Sequence, residues 1–276
     1  MQNKIGICSW STGRDPRELP QLAREIGVDC VQLALDPLRV QGWSPDEVRG
    51  GLAAGGLEVR SGMMSTRGED YSSLATIRAT GGVRLDRHWK ENLAAAHTNA
   101  QLASELGLSL VSLHAGFLPE QRGDAVRTLM LERLRALVDV FGEHGVRVAF
   151  ETGQETADTL LDVLDELDRP TAGVNFDPAN MILYGMGEPV EALRRLSPHV
   201  LQVHIKDARP SELPGQWGSE VVAGTGAVDW RAFFDVLADA AFTGDLMIER
   251  EAGDQRVADM RAAAALCREH LERLGT

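Results

Sequence analysis

Four residues in the second half of the sequence are of the types that hold divalent metals: Glu151, Asp177, His204 and Glu249. Three carboxylates and an imidazole suit Mn²⁺ or Mg²⁺ first, with Zn²⁺, Co²⁺ or Fe²⁺ also compatible. The spacing points the same way. About 26 residues separate Glu151 from Asp177 and about 27 separate Asp177 from His204, each close to one strand-plus-helix unit. Neighbouring strands would then deliver the ligands to one place. The gap to Glu249 is longer and leaves room for an extended loop. A lone Glu at a strand end is more often an ion-pair partner, and a lone His more often a hydrogen-bonded core residue. Four such residues in phase on successive strands favour a shared cation.

The elements that must position them alternate along the chain. Strand-like runs occupy 4–10, 30–35, 57–63, 109–116, 147–153, 172–179, 200–208 and 245–251. Between them lie helical stretches such as 89–106 and 127–144, with apolar residues at i, i+3, i+4 and i+7. Gly27, Gly107 and Gly145 stand where helices end before the next strand, the left-handed C-cap position. Strands alternating with helices imply parallel pairing. Eight units of about 34 residues make a single α/β domain over 1–276, a (β/α)8 TIM barrel. A doubly wound open sheet is the alternative, weakened because no GxGxxG or GxxxxGK[ST] follows the first strand. The longest irregular stretches are expected at 64–88 and 209–228, both after strands, where this architecture builds its active face.

Strand side chains alternate faces, so the apolar residues set the phase. Val148 and Phe150, Val174 and Phe176, Val203 and Ile205, and Leu246 and Ile248 belong on the helix-facing side. Glu151, Asn175, Asp177, His204, Lys206 and Glu249 then point into the barrel. On the fourth strand the same rule turns Ser112 and His114 inward. Buried carboxylates cost several kcal/mol each unless paired or bound to a cation. A divalent metal among them removes that cost.

Bulk properties exclude other classes. The 276 residues are 43% hydrophobic, enough for a large core. Their 28 Lys+Arg against 41 Asp+Glu give a formal charge of −13, which repels phosphate backbones and argues against nucleic acid. No apolar run is long enough to span a membrane, and the N-terminal residues lack a signal-peptide pattern. Three scattered cysteines, Cys8, Cys30 and Cys267, read as reduced thiols of a cytoplasmic protein.

The strand-end phrases SLHAG, VAFETG, NFDPAN, VHIKDA and MIERE resemble the xylose isomerase-like TIM-barrel superfamily of sugar phosphate isomerases and epimerases, over nearly the whole chain. The resemblance implies one metal on Glu151, Asp177, His204 and Glu249. It gives Glu151 and Glu249 a second role as the pair that exchanges a substrate proton, and it makes His114 substrate-facing. The ketose 3-epimerases of that family carry a His three residues after the metal Asp, where this chain has Asn180. They also carry an Arg soon after the metal His, and Arg209 is the nearby candidate. Lys206 belongs to an HxKD variant of the motif.

Together these readings predict a metal-dependent isomerase or epimerase that moves a proton beside the carbonyl of a sugar or sugar derivative. His114 and Lys206 are candidate holders of substrate oxygens, with Asn180 and Arg209 as further contacts. An ion pair with a neighbouring carboxylate is the other role open to Lys206. Trp10, in phase with Gly6 and Cys8 on the first strand, is a candidate floor for the sugar or else structural filler. Asp207 is either a support for the ligands or a loop cap. The Gly-rich stretch 215–230 is placed at the site border or against a neighbouring subunit, which makes a homo-oligomer a candidate assembly. Alternatives are an inositol-catabolism-type dehydratase and a non-catalytic sugar-binding barrel. The apurinic endonuclease branch is disfavoured: residues 209–244 contain no histidine, and position 180 is Asn.

Overall fold

The computed structural model describes residues 3–213 and 215–275. Its strands are β1 (Ile5–Cys8), β2 (Cys30–Ala34), β3 (Glu58–Met63), β4 (Leu110–Leu113), β5 (Arg147–Glu151), β6 (Ala172–Phe176), β7 (Val200–Ile205), β8 (Asp207–Arg209), β9 (Ser219–Val221) and β10 (Asp245–Ile248). Its helices are α1 (Leu19–Ile26), α2 (Leu35–Gln41), α3 (Pro45–Ala54), α4 (Leu74–Thr80), α5 (Asp86–Glu105), α6 (Ala125–Glu143), α7 (Ala157–Leu167), α8 (Pro178–Tyr184), α9 (Pro189–Leu196), α10 (Trp230–Asp239) and α11 (Arg256–Gly275). All eight expected runs become barrel strands. They close in the order β1-β10-β7-β6-β5-β4-β3-β2, every neighbouring pair parallel. The chain is a single (β/α)8 barrel.

Packing follows the alternation of strand faces. Val148, Phe150, Val174, Phe176, Val203, Ile205, Leu246 and Ile248 are buried in one apolar cluster with helix residues such as Leu134, Leu160 and Phe233. Each such side chain contributes about 1.5–3 kcal/mol on burial. Inside the barrel a separate small cluster of Cys8, Cys30 and Met247 sits below the polar residues, with Trp10 packed on it. Register keeps the candidate ligands near one level: Glu151 pairs with Asn175, and His204 with Met247. Gly27, Gly107 and Gly145 all have positive φ, as their place after helices demands.

Both stretches expected to be irregular contain structure. Within 64–88 lies α4, and α5 already starts at Asp86. The start of α4 is a reciprocal cap: Ser73 Oγ accepts from the Thr76 amide at 3.1 Å, and Thr76 Oγ1 accepts from the Ser73 amide at 2.9 Å. With Thr in the place usually held by Glu or Gln, and only seven residues of helix, the sequence pattern is weak. Within 209–228 the chain turns back as the antiparallel hairpin β8–β9. Buried Asp207 organises that loop. Its carboxylate accepts from the amides of Ala208, Gly224, Gly226 and Val228 and from Trp230 Nε1, at 2.9–3.2 Å. Asp207 is therefore a loop cap. Among the described residues no helix is long and apolar enough to cross a membrane.

Candidate metal centre

Each candidate ligand reaches the barrel mouth by a different local device. Glu151 is the last residue of β5, His204 lies within β7, and Glu249 directly follows β10. Asp177 follows β6 and caps α8: its Oδ1 accepts from the Asn180 amide at 2.9 Å, which turns Oδ2 toward the centre. All four are buried, and one donor atom from each lies within 4.8 Å of the others. His204 Nδ1 is 3.3 Å from Glu249 Oε2, 3.5 Å from Glu151 Oε1 and 3.6 Å from Asp177 Oδ2.

Hydrogen bonding shows which atoms are left for a cation. Gln32 Nε2 donates to Ser112 Oγ at 2.7 Å and to the Gly62 carbonyl at 3.3 Å. Its Oε1 therefore faces His204 Nε2, 2.8 Å away, where Asn175 Nδ2 also approaches at 2.9 Å; with the imidazole proton on Nε2, the ring donates to Gln32. The Nδ1 lone pair then points at the carboxylates. His204 Nδ1 and Asp177 Oδ2 are buried with no hydrogen-bond partner. Such orphans are rare and costly unless something else satisfies them. A carboxylate oxygen and an imidazole lone pair facing each other fit a divalent cation, and a second-row support behind the His is the usual arrangement around one. Without a cation the site draws in protons. Burial pushes the Asp177 carboxyl up to about 6 against the pull of Lys206. Burial opposes a charge on His204, yet neighbouring Glu151 and Glu249 hold its pKa well above the ordinary range.

The other expected residues divide. His114 follows β4 and lines the cavity, its Nε2 3.8 Å from Glu151 Oε1 and its Nδ1 buried without a partner. Lys206 is 3% exposed and makes the ion pair considered for it. It lines the cavity, and its Nζ donates to Glu249 Oε2 at 3.0 Å and Glu251 Oε2 at 2.7 Å. Burial would lower its pKa, but those carboxylates raise it well above 10.5, so it is a fixed cation. Asn180 Nδ2 donates to Glu151 Oε1 at 3.0 Å. Gly153, at φ 124°, makes room for it, because a Cβ there would overlap the Asn180 Cβ.

Two placements correct the sequence reading. Trp10 is not in the first strand but in the 3-10 turn Ser9–Thr12 that follows it. From there its Nε1 donates to Glu249 Oε1 at 2.6 Å, so it orients a candidate ligand while its ring borders the cavity. Arg209 is not among the residues lining the cavity. It lies on the β8–β9 hairpin, exposed, with its guanidinium on the Thr225 carbonyl at 2.8 Å. The loop that Asp207 ties down turns it aside.

The cavity holds about 740 Å³. Glu69, Tyr71, Tyr184 and Glu251 line it, and sequence reasoning did not single them out; they come from loops and a helix end, where no periodicity reports direction. Trp217 and Glu220 (the latter in β9) line it too, from the stretch 215–230 expected at the site border or a subunit contact. Gln32 was also missed, although a polar residue inside the apolar run CVQLAL was a usable sign.

A second cavity, about 430 Å³, opens beside the first and is lined by Arg78, Arg84, Gln154 and Glu155 among others. Glu155 is 5% exposed. Burial pushes its carboxyl up to about 8 from 4.5. A raised carboxyl pKa gives stability that is full below the unfolded value and is lost as pH rises toward the folded one. Glu155→Gln is therefore expected to change little near about pH 5 and to stabilise by roughly 2–4 kcal/mol near about pH 9. Urea unfolding midpoints of both proteins at the two pH values check this. An equal shift at both would rule out titration of Glu155.

Comparison with known proteins agrees with this architecture. The xylose isomerase-like TIM-barrel model matches residues 20–270. A solved xylose isomerase domain protein from Planctomyces limnophilus superposes with a TM-score of 0.87 at 28% identity, covering 100% of this chain and 99% of that one. An inosose dehydratase from Clostridium botulinum (strain Alaska E43 / Type E3) is 27% identical over 139 residues, 45% of this chain and 46% of that protein. The match thus spans about half the length of that relative. L-ribulose-5-phosphate 3-epimerase UlaE from Salmonella heidelberg (strain SL476) is 24% identical over 241 residues, 83% of this chain and 79% of that one. A closed eight-stranded parallel barrel with buried Glu, Asp, His and Glu at its mouth, matched over residues 20–270, places the chain in one family: it belongs to the xylose isomerase-like TIM barrels.

Proposed function

We propose that this chain is a divalent-metal-dependent enzyme that moves a proton at the carbon beside the carbonyl of a sugar or sugar derivative. The observation that carries this reading is the pair of orphaned atoms, His204 Nδ1 and Asp177 Oδ2, facing Glu151 and Glu249 beneath a cavity of sugar size. Glu151, Asp177, His204 and Glu249 would hold the metal, with Mn²⁺ or Mg²⁺ suited to three oxygen donors and one nitrogen. When bound, a divalent ion supplies Lewis-acid polarisation of the carbonyl.

The residues supply the rest. Glu151 takes the proton from carbon, the C–H electron pair becomes a C=C bond to the carbonyl carbon, and the carbonyl π pair moves onto oxygen, which gains charge. His114 and Lys206, both on the cavity wall, offer N–H donors to that charge. If Glu249 returns a proton to the opposite face, the product is an epimer. Return to the neighbouring carbon gives aldose–ketose isomerisation.

A second reading shares the first step and ends in dehydration. Lys206 favours it: its ammonium, fixed on the cavity wall, can hydrogen-bond a departing hydroxyl, which leaves as water with the proton that Glu151 took from carbon. Asn180, where ketose 3-epimerases carry His, and the likeness to an inosose dehydratase support it as well.

Incubation of the Mn²⁺-loaded protein in D₂O with a panel of ketoses and inososes tests both. Deuterium at the carbon beside the carbonyl with the sugar otherwise intact is the isomerase outcome. Loss of one water is the dehydratase outcome. No exchange and no loss across the panel would leave a non-catalytic sugar-binding barrel and defeat the proposal.

A further inference from the structure

The wall of the main cavity is rich in carboxylates and offers no cation that is not already paired. Glu69, Glu220 and Glu251 line it above Glu151 and Glu249, and Lys206 is the only Lys or Arg among its described lining residues. That ammonium is already engaged by Glu249 at 3.0 Å and Glu251 at 2.7 Å. Nearby guanidiniums are committed elsewhere. Arg250 holds Glu220 at 2.6 Å and Asp259 at 2.9 Å. Arg209 is on the Thr225 carbonyl. Arg78 lies over the Phe117 ring, 4.7 Å from its centroid, and Arg84 donates to the Phe117 carbonyl; both line the second cavity instead.

Phosphates and carboxylates are recognised by Arg or Lys side chains or by free amides at a helix N-terminus. The helix that starts at this mouth, α8, has its amide end taken by Asp177. What the wall offers instead is carboxylate acceptors for hydroxyl groups and the rings of Trp10, Tyr71, Tyr184 and Trp217 for the C–H faces of a carbohydrate. Tyr184 and Trp217 meet edge to face, with centroids 4.9 Å apart, which makes part of this wall rigid.

We infer that the substrate is an electroneutral polyhydroxy ketone, a free ketose or a cyclitol ketone, and that sugar phosphates and sugar acids are rejected. The inference rests on the proton-transfer reading for its choice of a ketone. Wall charge acts on binding, apart from turnover. Rejection comes from the lack of an uncommitted cation on the wall: Arg250 is taken by Glu220 and Lys206 by Glu249 and Glu251, a bound divalent ion offsets its own carboxylate ligands, and Glu69 is held by the Gly82 amide rather than by a cation.

Titration of the Mn²⁺-loaded protein, followed by tryptophan fluorescence from Trp10 and Trp217, tests this against two groups of probes. One holds free hexuloses and an inosose, the other the terminal phosphates of those hexuloses and keto-gluconates. The neutral group is expected to bind at least about 100-fold more tightly. Glu251→Gln, which removes one wall charge and leaves Lys206 paired with Glu249 alone of the two, is expected to narrow that gap by about 10-fold, chiefly by improving the phosphates. Equal or tighter binding of the anionic group overturns the inference, and so does binding of neither group. Neutral-selective binding without deuterium exchange keeps the inference and sinks the proton-transfer reading alone.

Discussion

Replacing His204 by alanine is expected to strip the divalent metal from this protein while leaving the barrel folded. His204 Nδ1 sits at the centre of the candidate site, 3.3–3.6 Å from an oxygen of each of the three carboxylates. Its loss removes one donor of four, and with it the ring that Gln32 holds in place. Outer supports of metal ligands alone are worth about 10–100-fold in affinity, so a direct ligand should cost more than about 100-fold. The variant also leaves three buried carboxylates with less positive charge nearby, so some loss of stability accompanies it. Metal content after dialysis, measured by elemental analysis, and calorimetric titration with Mn²⁺ read the effect. Glu249→Gln serves as a milder second variant, because it keeps an oxygen and the volume. Retention of stoichiometric metal by both would refute the four-residue site.

The second large effect is expected at Glu151. Glu151→Gln should slow deuterium exchange into a ketone substrate by about 10²–10⁴-fold, the usual contribution of a positioned general base. The measurement uses saturating Mn²⁺, so that weaker metal binding is not mistaken for lost base function. Glu151 is suited to this variant because neutral amides hold both its oxygens: Asn180 donates to Oε1 at 3.0 Å and Asn175 to Oε2 at 3.3 Å, with the imidazoles of His204 and His114 farther off, 3.5 and 3.8 Å from Oε1. Glu249 is held differently, by Trp10 and by the charged Lys206. An exchange rate within about 3-fold of the parent at full metal occupancy would remove Glu151 from the proton-transfer role.

Much of this was legible along the chain because periodicity is a local property. Alternation of Val, Ile, Leu and Phe along four strands determined which side chains turn inward, and so brought Glu151, His204 and, just beyond the strand ends, Asp177 and Glu249 toward one axis. Alternation of strands with helices determined the parallel barrel and put those strand ends at one mouth. The alternation of faces follows from backbone geometry within a few residues, so it needs no knowledge of the rest of the molecule.

Only the tertiary structure decided which groups hold the ligands. Trp10 reaches Glu249 across 239 residues of sequence, and Gln32 reaches His204 across 172. The β8–β9 hairpin turned Arg209 away from the cavity, where sequence proximity to His204 had suggested contact. The charge of the cavity wall was settled the same way. It depends on Glu69 and Glu251 in loops, on Glu220 in β9, and on the carboxylates that already occupy Lys206. Strand phase reports the face a side chain takes. The partner it meets there comes from chain closure, which joins segments that share no local pattern.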